Sequence, residues 1–452
     1  MRTSRFNRRK FLQGSAGAVA AGLTVPYFFT TASKAAEGKT DRPLVGCIAT
    51  GDRWHAVGPE AMKFGDVVAV CDVDKKHLEE GQKIVEQKQK HVPDAYEDYR
   101  KLLDRKDIQI VTVVTPDHWH VKCAIDALKA GKDVYCEKPL TLTIDEGKQI
   151  SKVLKETGRV MQVGTQQRSE MGNRFINAVA MIRDGRIGKV QKVTCVIGEA
   201  PTSEKLPKIP VPDQLNWDMW LGQAPMTDYV QGGFGNNKKY PEARTHYEFR
   251  WWYEYSGGKM TDWGAHHADI AHWAIGADNT GPTSVEGKAE FPVGYKNGMP
   301  TESDRYNVAK KFEIVCKFAD GIILEIHSSG ENGITFQGDK GELFVSRGAL
   351  RGKAVDELKE NPLPEDAITK LYKGKKPGSH MGNFFECVKD RTQPISDVYS
   401  HHRAMTTLHL ANIAIRLGRK LQWDPAKEQI VDDSEANGFL KREQRKGYEI
   451  VA

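Results

Sequence analysis

The sequence predicts an α/β fold in two parts: a doubly wound parallel sheet, then a C-terminal α+β half built on a largely antiparallel open sheet. Three observations carry this. From Pro43 onward, short apolar runs alternate with amphipathic helical windows, the pattern of a parallel sheet covered on both faces. Past Gly164 that rhythm stops and longer alternating runs take over. Among them, Asp320-Gly321 joins two runs of alternating apolar residues, the signal of an antiparallel hairpin.

The elements follow in order. Leu44–Ala49, Val67–Cys71, Ile108–Val114, Asp133–Cys136 and Val160–Val163 read as buried strands. Lys75–Lys90, Val121–Ala130 and Ile144–Thr157 read as the helices between them, with Gly131 and Gly158 where helix ends need glycine. In the second half, Phe175–Asp184 is a helix, Lys189–Ile197 a strand, and 199–250 a stretch of ordered loops rich in Pro, Gly, Trp and Tyr. Lys311–Phe318 and Ile322–His327 form the hairpin, Phe336 and Leu343–Val345 continue the strands, and Met381–Asp390 and His402–Leu417 close the domain as helices. The expected boundaries are a leader at 1–35, a first domain at 42–165, a second at 166–425 and a tail at 426–452.

The chain has 452 residues, 39% hydrophobic and 28% charged, a globular balance, and no apolar run of membrane-spanning length. Its net charge of +6 belongs to the leader, where Arg2, Arg5, Arg8, Arg9, Lys10 and Lys34 meet no acid. The remainder holds 60 basic and 60 acidic residues, which gives no electrostatic case for nucleic acid or an anionic membrane. Asn7-Arg8-Arg9-Lys10-Phe11-Leu12-Gln13 precedes a mild Gly/Ala-rich stretch and Ser33-Lys34-Ala35. This resembles a twin-arginine signal, so the twin-arginine (Tat) machinery is the expected export partner and the periplasm the expected location. The seven cysteines are scattered with no CxxC pair and are expected to be free, inert thiols.

The first βα turn runs from Gly46 to Trp54. A dinucleotide fingerprint wants glycine where Ala49, Gly51 and Trp54 stand, and only Gly51 is kept. Asp52, Arg53 and Trp54 follow it into the helix expected to meet the pyrophosphate. Asp72, at the end of the second strand, can accept hydrogen bonds from ribose hydroxyls and would repel a 2′-phosphate, which favours NAD over NADP. Thr115-Pro116-Asp117-His118-Trp119-His120 and Glu137-Lys138-Pro139 each follow a strand, at the sheet edge where open α/β folds bind ligands. Lys138, fixed before a proline, can neutralise a developing alkoxide.

A dinucleotide turn, an acidic strand end, Thr115-Pro116-x-x-x-His120 and Glu137-Lys138-Pro139 together resemble the Gfo/Idh/MocA oxidoreductases, of the glucose–fructose oxidoreductase and inositol dehydrogenase type. The resemblance spans about Leu44 to Trp423 and implies a Rossmann domain, a nicotinamide cofactor and a second domain that supplies substrate contacts and often oligomerises through its sheet. It also implies cofactor contacts by Thr115, Pro116, His120, Glu137, Lys138 and Gln166. Gly257-Gly258-Lys259-Met260-Thr261-Asp262-Trp263-Gly264-Ala265-His266 is similar to the family stretch whose Asp and His face the nicotinamide. On one helix Asp262 and His266 share a face, and a neutral imidazole suits proton removal from a sugar hydroxyl. Lys138, Asp262 and His266 are thus the expected catalytic residues; Arg168, Trp251 and His267 are expected to touch substrate. No metal is expected, because His266, His267 and His272 diverge around a helix.

These residues imply hydride transfer between NAD and a carbohydrate or polyol carbon, with a tightly held cofactor and a homo-oligomeric chain. Two rivals differ in class. One is a redox-neutral NAD-retaining glycosidase or lyase working through a 3-keto sugar, although Thr261-Asp262-Trp263 stands where that glycosidase branch carries Thr-His-Gly. The other is a non-catalytic carbohydrate sensor, against which Lys138, Asp262 and His266 stand together.

Overall fold

A computed structural model describes residues 42–235 and 238–452, which lie within one compact unit; the leader falls outside the described residues. The first half is a six-stranded sheet, β1 (Leu44–Ile48), β2 (Asp66–Cys71), β3 (Asp94–Tyr96), β4 (Ile110–Val113), β5 (Asp133–Cys136) and β6 (Met161–Val163). The spatial order is β3-β2-β1-β4-β5-β6, and every neighbour pairs in parallel. Helices α1 (Trp54–Ala61), α2 (Lys75–Gln89), α3 (Tyr99–Leu103), α4 (Asp117–Lys129) and α5 (Ile144–Thr157) lie between the strands. The crossover from β3-β2-β1 to β4-β5-β6 opens a crevice at the strand C-termini, the standard ligand position in such sheets.

In this half the short elements β3 and α3 escape the sequence pattern, and the start of α4 is displaced. Strand β3 has three residues, none buried, so no apolar run marks it and the expected third strand is in fact the fourth. Helix α4 begins at Asp117 rather than Val121 because its polar first turn is buried and interrupts the amphipathic period.

The second half holds a nine-stranded sheet. Its interior strand β7 (Val190–Val196) pairs in parallel with the central strand Ile323–His327 and antiparallel with Gly333–Gly338. Lys311–Lys317 pairs antiparallel with both Ile323–His327 and Ser284–Glu290. The buried positions of Lys311–Lys317 alternate, as a sheet with one covered face requires. Helix α6 (Arg174–Arg183) and the helices Gly264–Ile275 and Val398–Leu417 contribute to the same apolar core as this sheet. Val398–Leu417 also meets the first half, where Thr141 Oγ1 and His409 Nε2 are 2.9 Å apart. Residues 426–452 pack against the domain: Ile430 and Ile450 are buried, and Tyr448 stands edge-on to Trp119. All seven cysteines are free and buried.

Candidate active site

One cleft runs along the strand ends, with a cavity of about 380 Å³ between the two halves. At one end is the turn after β1. Ala49 replaces the first fingerprint glycine yet adopts the left-handed conformation glycine would supply, φ 66°. That geometry costs an L-residue roughly 1–2 kcal/mol; Ala49 N–H donates to Cys71 O at 2.8 Å, which ties the strained residue to β2. Asp72 is buried beside it and accepts from Thr50 N–H at 2.8 Å and Asp74 N–H at 2.9 Å, fixing its carboxylate toward the cleft that it lines.

Midway, Arg53 Nη2 donates to Glu137 Oε1 at 3.0 Å, and Gln166 Nε2 donates to the same oxygen at 2.8 Å. Gly164 makes room for this network, since a Cβ there would lie 2.7 Å from the Glu137 carboxylate. His120 is buried with Nδ1 2.6 Å from Pro139 O, across the cis Lys138–Pro139 peptide. Asp52 accepts from Tyr240 Oη at 2.5 Å and from Lys239 Nζ, which draws the 199–250 segment over the turn.

The far end carries the acid–base groups. Lys138 Nζ donates to Asp262 Oδ1 at 2.7 Å and to Asp262 O at 3.0 Å. An ammonium has three N–H groups, so one remains for a ligand. Burial alone would raise the Asp262 carboxyl, but Lys138 and Arg250, the latter 3.5 Å away, outweigh it and hold Asp262 well below the usual carboxylate range. Burial, reinforced by the Lys138 and Arg347 cations, holds the His266 imidazole well below the ordinary histidine value, so it is neutral at pH 7. A neutral imidazole accepts a proton.

Whether these residues fit a nicotinamide dinucleotide can be tested on their unfilled hydrogen-bonding atoms. Thr115 Oγ1 and His266 Nδ1 are buried without a hydrogen-bond partner among the described residues, although both residues line the cleft. Such orphans are costly unless an occupant satisfies them. With Gly51 and Asp72 at one end and Lys138 and His266 at the other, the donor and acceptor set fits a dinucleotide.

Four expected contacts are not on this cleft. Trp54 is fully buried in the first-domain core, its ring seated over Gly58, where a Cβ would come within 2.3 Å of it. The small residue needed for close packing has thus moved from position 54 to 58. Arg168 points away from the cavity and grips Asp269 through Nε at 2.6 Å and Nη2 at 3.0 Å, with Ile395 O at 3.1 Å. His267, about 100° round the helix from His266, is buried off the cleft, with Nε2 3.2 Å from Asn332 Oδ1, and burial pushes it down to about 4. Trp251 donates to Glu248 Oε2 at 2.7 Å and lines a separate hollow with Glu242 and Tyr306.

The cleft also has lining residues that motif reading missed. Tyr247 and Arg250 come from the aromatic-rich loops, whose composition was the available signal. Arg347 follows the strand Glu342–Val345 and lies over Trp263 at 4.5 Å; nothing local distinguishes an arginine at such a turn. The histidines weighed as metal ligands do not cluster; among the described residues, the set with ligand-like spacing is Asp74, His77 and His246.

Comparison with known proteins agrees with this geometry. The profile of the GFO_IDH_MocA oxidoreductase family's NAD-binding Rossmann fold matches residues 44–165, and that of its C-terminal alpha/beta domain matches 199–450. A glycosyl hydrolase family 109 protein of Shewanella pealeana is 30% identical over 206 residues, 41% of this chain and 44% of the relative. The alpha-N-acetylgalactosaminidase of Shewanella oneidensis is 29% identical over 205 residues, again 41% of this chain and 44% of the relative. The chain thus matches less than half the length of these curated relatives. Among solved structures, the WlbA dehydrogenase of Bordetella pertussis with NADH and UDP-GlcNAcA aligns with TM-score 0.58 at 17% identity, over 85% of this chain and 99% of that one. Levoglucosan dehydrogenase with NADH and levoglucosan aligns with TM-score 0.59 at 16% identity, over 84% and 99%. At such identities the likeness is one of fold. With both family profiles matched in order and an NAD-binding Rossmann half facing its partner across one cleft, the chain belongs to the Gfo/Idh/MocA family of oxidoreductases.

Proposed function

We propose that the protein is an NAD-retaining carbohydrate oxidoreductase that acts on a ring or polyol carbon. One observation carries the reading: Lys138, Asp262 and a neutral His266 line the same cleft as Gly51 and Asp72. NAD, when bound, supplies the acceptor for the hydride that leaves the sugar C–H bond. His266 takes the hydroxyl proton, and the O–H bonding pair becomes the second bond of the new carbonyl. The third N–H of Lys138 steadies the oxygen as its charge develops. Asp262, kept ionised by Lys138 and Arg250, orients Lys138 and accepts from a neighbouring hydroxyl. Asp72 accepts from ribose hydroxyls and selects NAD over NADP.

The leader extends the reading: the protein is exported folded to the periplasm by the twin-arginine route, with its cofactor aboard. No replenishing NAD pool is expected there, so the hydride must be passed to a second sugar or returned to the first. Self-association through the open face of the nine-stranded sheet accompanies this reading. Among the described residues, no helix is long and apolar enough to cross a membrane.

A redox-neutral cycle is the second reading, favoured by the glycosyl hydrolase family 109 relatives. There the ketone acidifies the adjacent C–H, a base removes that proton, and the glycosidic substituent leaves with its bonding pair. Water then adds and the hydride returns, so no net oxidation occurs.

The test is to purify the mature protein without added NAD and pass it through gel filtration. Near-stoichiometric NAD in the protein peak, with turnover of a glycoside or sugar pair and no added cofactor, is the expected result. Cofactor-free protein that needs added NAD and accumulates NADH would sink retention and leave a plain dehydrogenase. Formation of free sugar from a glycoside, without net NADH, would select the second reading.

A further inference from the structure

At the Asp72 end of the cleft, well suited metal ligands from both halves of the chain meet. Asp74 caps the N-terminus of α2, His77 lies in the first turn of α2, and His246 opens the 3₁₀ turn His246–Trp251 of the second half. One ligand atom from each lies within 4.8 Å of the others. His246 Nε2 stands 3.4 Å from Asp74 Oδ2, and the His77 and His246 rings are 4.8 Å apart, edge to face. Oδ1 of buried Asp74 accepts Lys76 N–H at 2.9 Å, which turns Oδ2 toward the imidazoles. Behind His77, Asp72 Oδ2 lies 3.9 Å from Nδ1. At that distance the two do not hydrogen-bond, and the carboxylate adds only negative charge beside the site. His246 holds this place at φ 52°, a left-handed conformation that costs a non-glycine residue.

We propose that Asp74, His77 and His246 bind one divalent transition-metal ion of the zinc class, clamping the second half onto the start of α2 beside the cofactor cleft. Two imidazoles and a carboxylate suit zinc, whereas magnesium and calcium prefer oxygen ligands throughout. Zinc bond lengths place neighbouring ligand atoms about 3.3 Å apart in a tetrahedron. The His246–Asp74 edge already has that length at 3.4 Å. The widest spacing, at most 4.8 Å, closes with about 1.5 Å of side-chain rotation. The histidines have room for it, with side chains 26% and 32% exposed. Three protein ligands leave a fourth position; both histidines line the cleft, so a water or a ligand hydroxyl can complete the site from that side.

The test uses the full folded protein, incubated with zinc chloride, gel-filtered and analysed for metal by mass spectrometry. One zinc per chain is expected in the parent. His77→Ala, on a part-exposed helix face, should retain at least about tenfold less, the scale lost even when groups behind metal ligands are removed. Cobalt(II) should give the visible absorption of a four-coordinate site in the parent and not in His77→Ala, while magnesium should not be retained. His246→Ala, checked for folding by circular dichroism, provides the second variant. Parent protein that retains only a trace of zinc, or both variants retaining as much as the parent, would overturn the site and leave a plain His246–Asp74 contact.

Discussion

Two cation–carboxylate pairs tie the first domain and the turn that leaves it to the stretch 259–275, and their surroundings give them different work. Lys138 and Asp262 meet at the cleft floor with side chains 12% and 13% exposed. Arg168 and Asp269 meet in the core with side chains 2% and 1% exposed. Asp262 ends the short helix Lys259–Asp262, while His266 and Asp269 lie on the next, Gly264–Ile275, and not on one helix with Asp262 as the sequence suggested. Across that break the same chain segment presents one carboxylate to the cleft and buries the other. The lysine pair leaves an N–H for a ligand. The arginine pair is saturated: both carboxylate oxygens of Asp269 are engaged by Arg168, and His401 Nδ1 lies 3.3 Å from Oδ1. Access, rather than charge, separates a chemical pair from a structural clamp.

This difference can be broken by mutation. Lys138→Ala should cut turnover on a verified substrate by roughly 10²–10⁴-fold, as for other positioned proton-transfer and charge-stabilising groups, and should cost less stability than loss of the arginine clamp, because Arg250 still pairs with Asp262. Turnover near the parent value would remove Lys138 from the chemistry. Arg168→Met should do the reverse. It strands a buried carboxylate and should cost about 3–5 kcal/mol in urea unfolding, while the folded fraction keeps its turnover. If Arg168→Met instead unfolds at the parent's urea concentration but loses turnover, the clamp reading fails and Arg168 belongs with the substrate contacts.

Protonation sharpens the contrast. Burial pushes His118 and His409 down to about 3, and His267, His272 and His380 down to about 4. An unfolded histidine titrates near about 6.5, so below that pH the unfolded chain binds more protons than the folded one. The stability these neutral histidines contribute is therefore complete above about pH 6.5 and is lost as pH falls below it. Asp262 and Asp269, both held low despite burial by their cationic partners, add their loss only below the ordinary carboxylate value of about 3.9. Thermal melts should thus decline from about pH 6.5 downward, the five histidines outweighing the buried Glu146 carboxyl, which burial pushes up to about 7 and which acts in the opposite sense; a melting temperature flat to about pH 5 would contradict the buried neutral state.

The smallest expected effect concerns cofactor choice. Asp72→Ala should narrow the preference for NADH over NADPH by about tenfold, read by fluorescence titration of cofactor-stripped protein, since one charge-assisted ribose contact is lost. Tighter NADPH than NADH binding by the parent would reverse the assignment.

The sequence by itself determined the strand and helix alternation, the positions of Gly51 and Asp72 at strand ends, and the Glu137-Lys138-Pro139 and Asp262-to-His266 segments. Those features are local: periodicity, a turn and a short spacing record which face is buried and where a strand stops. Only the tertiary structure decided which polar groups reach the cleft. Arg168 and His267 belong to motifs as promising as those of Lys138 and His266, yet one partner, Asp269 or Asn332, turns each inward. Trp54 sits at a fingerprint position but fills the core because Gly58 vacates the space. Arg347, Arg250 and the Asp74, His77 and His246 set are assembled from segments far apart in the chain. No local pattern encodes such meetings, because their free energy comes from desolvation and partner geometry that exist only once the two halves have closed on each other.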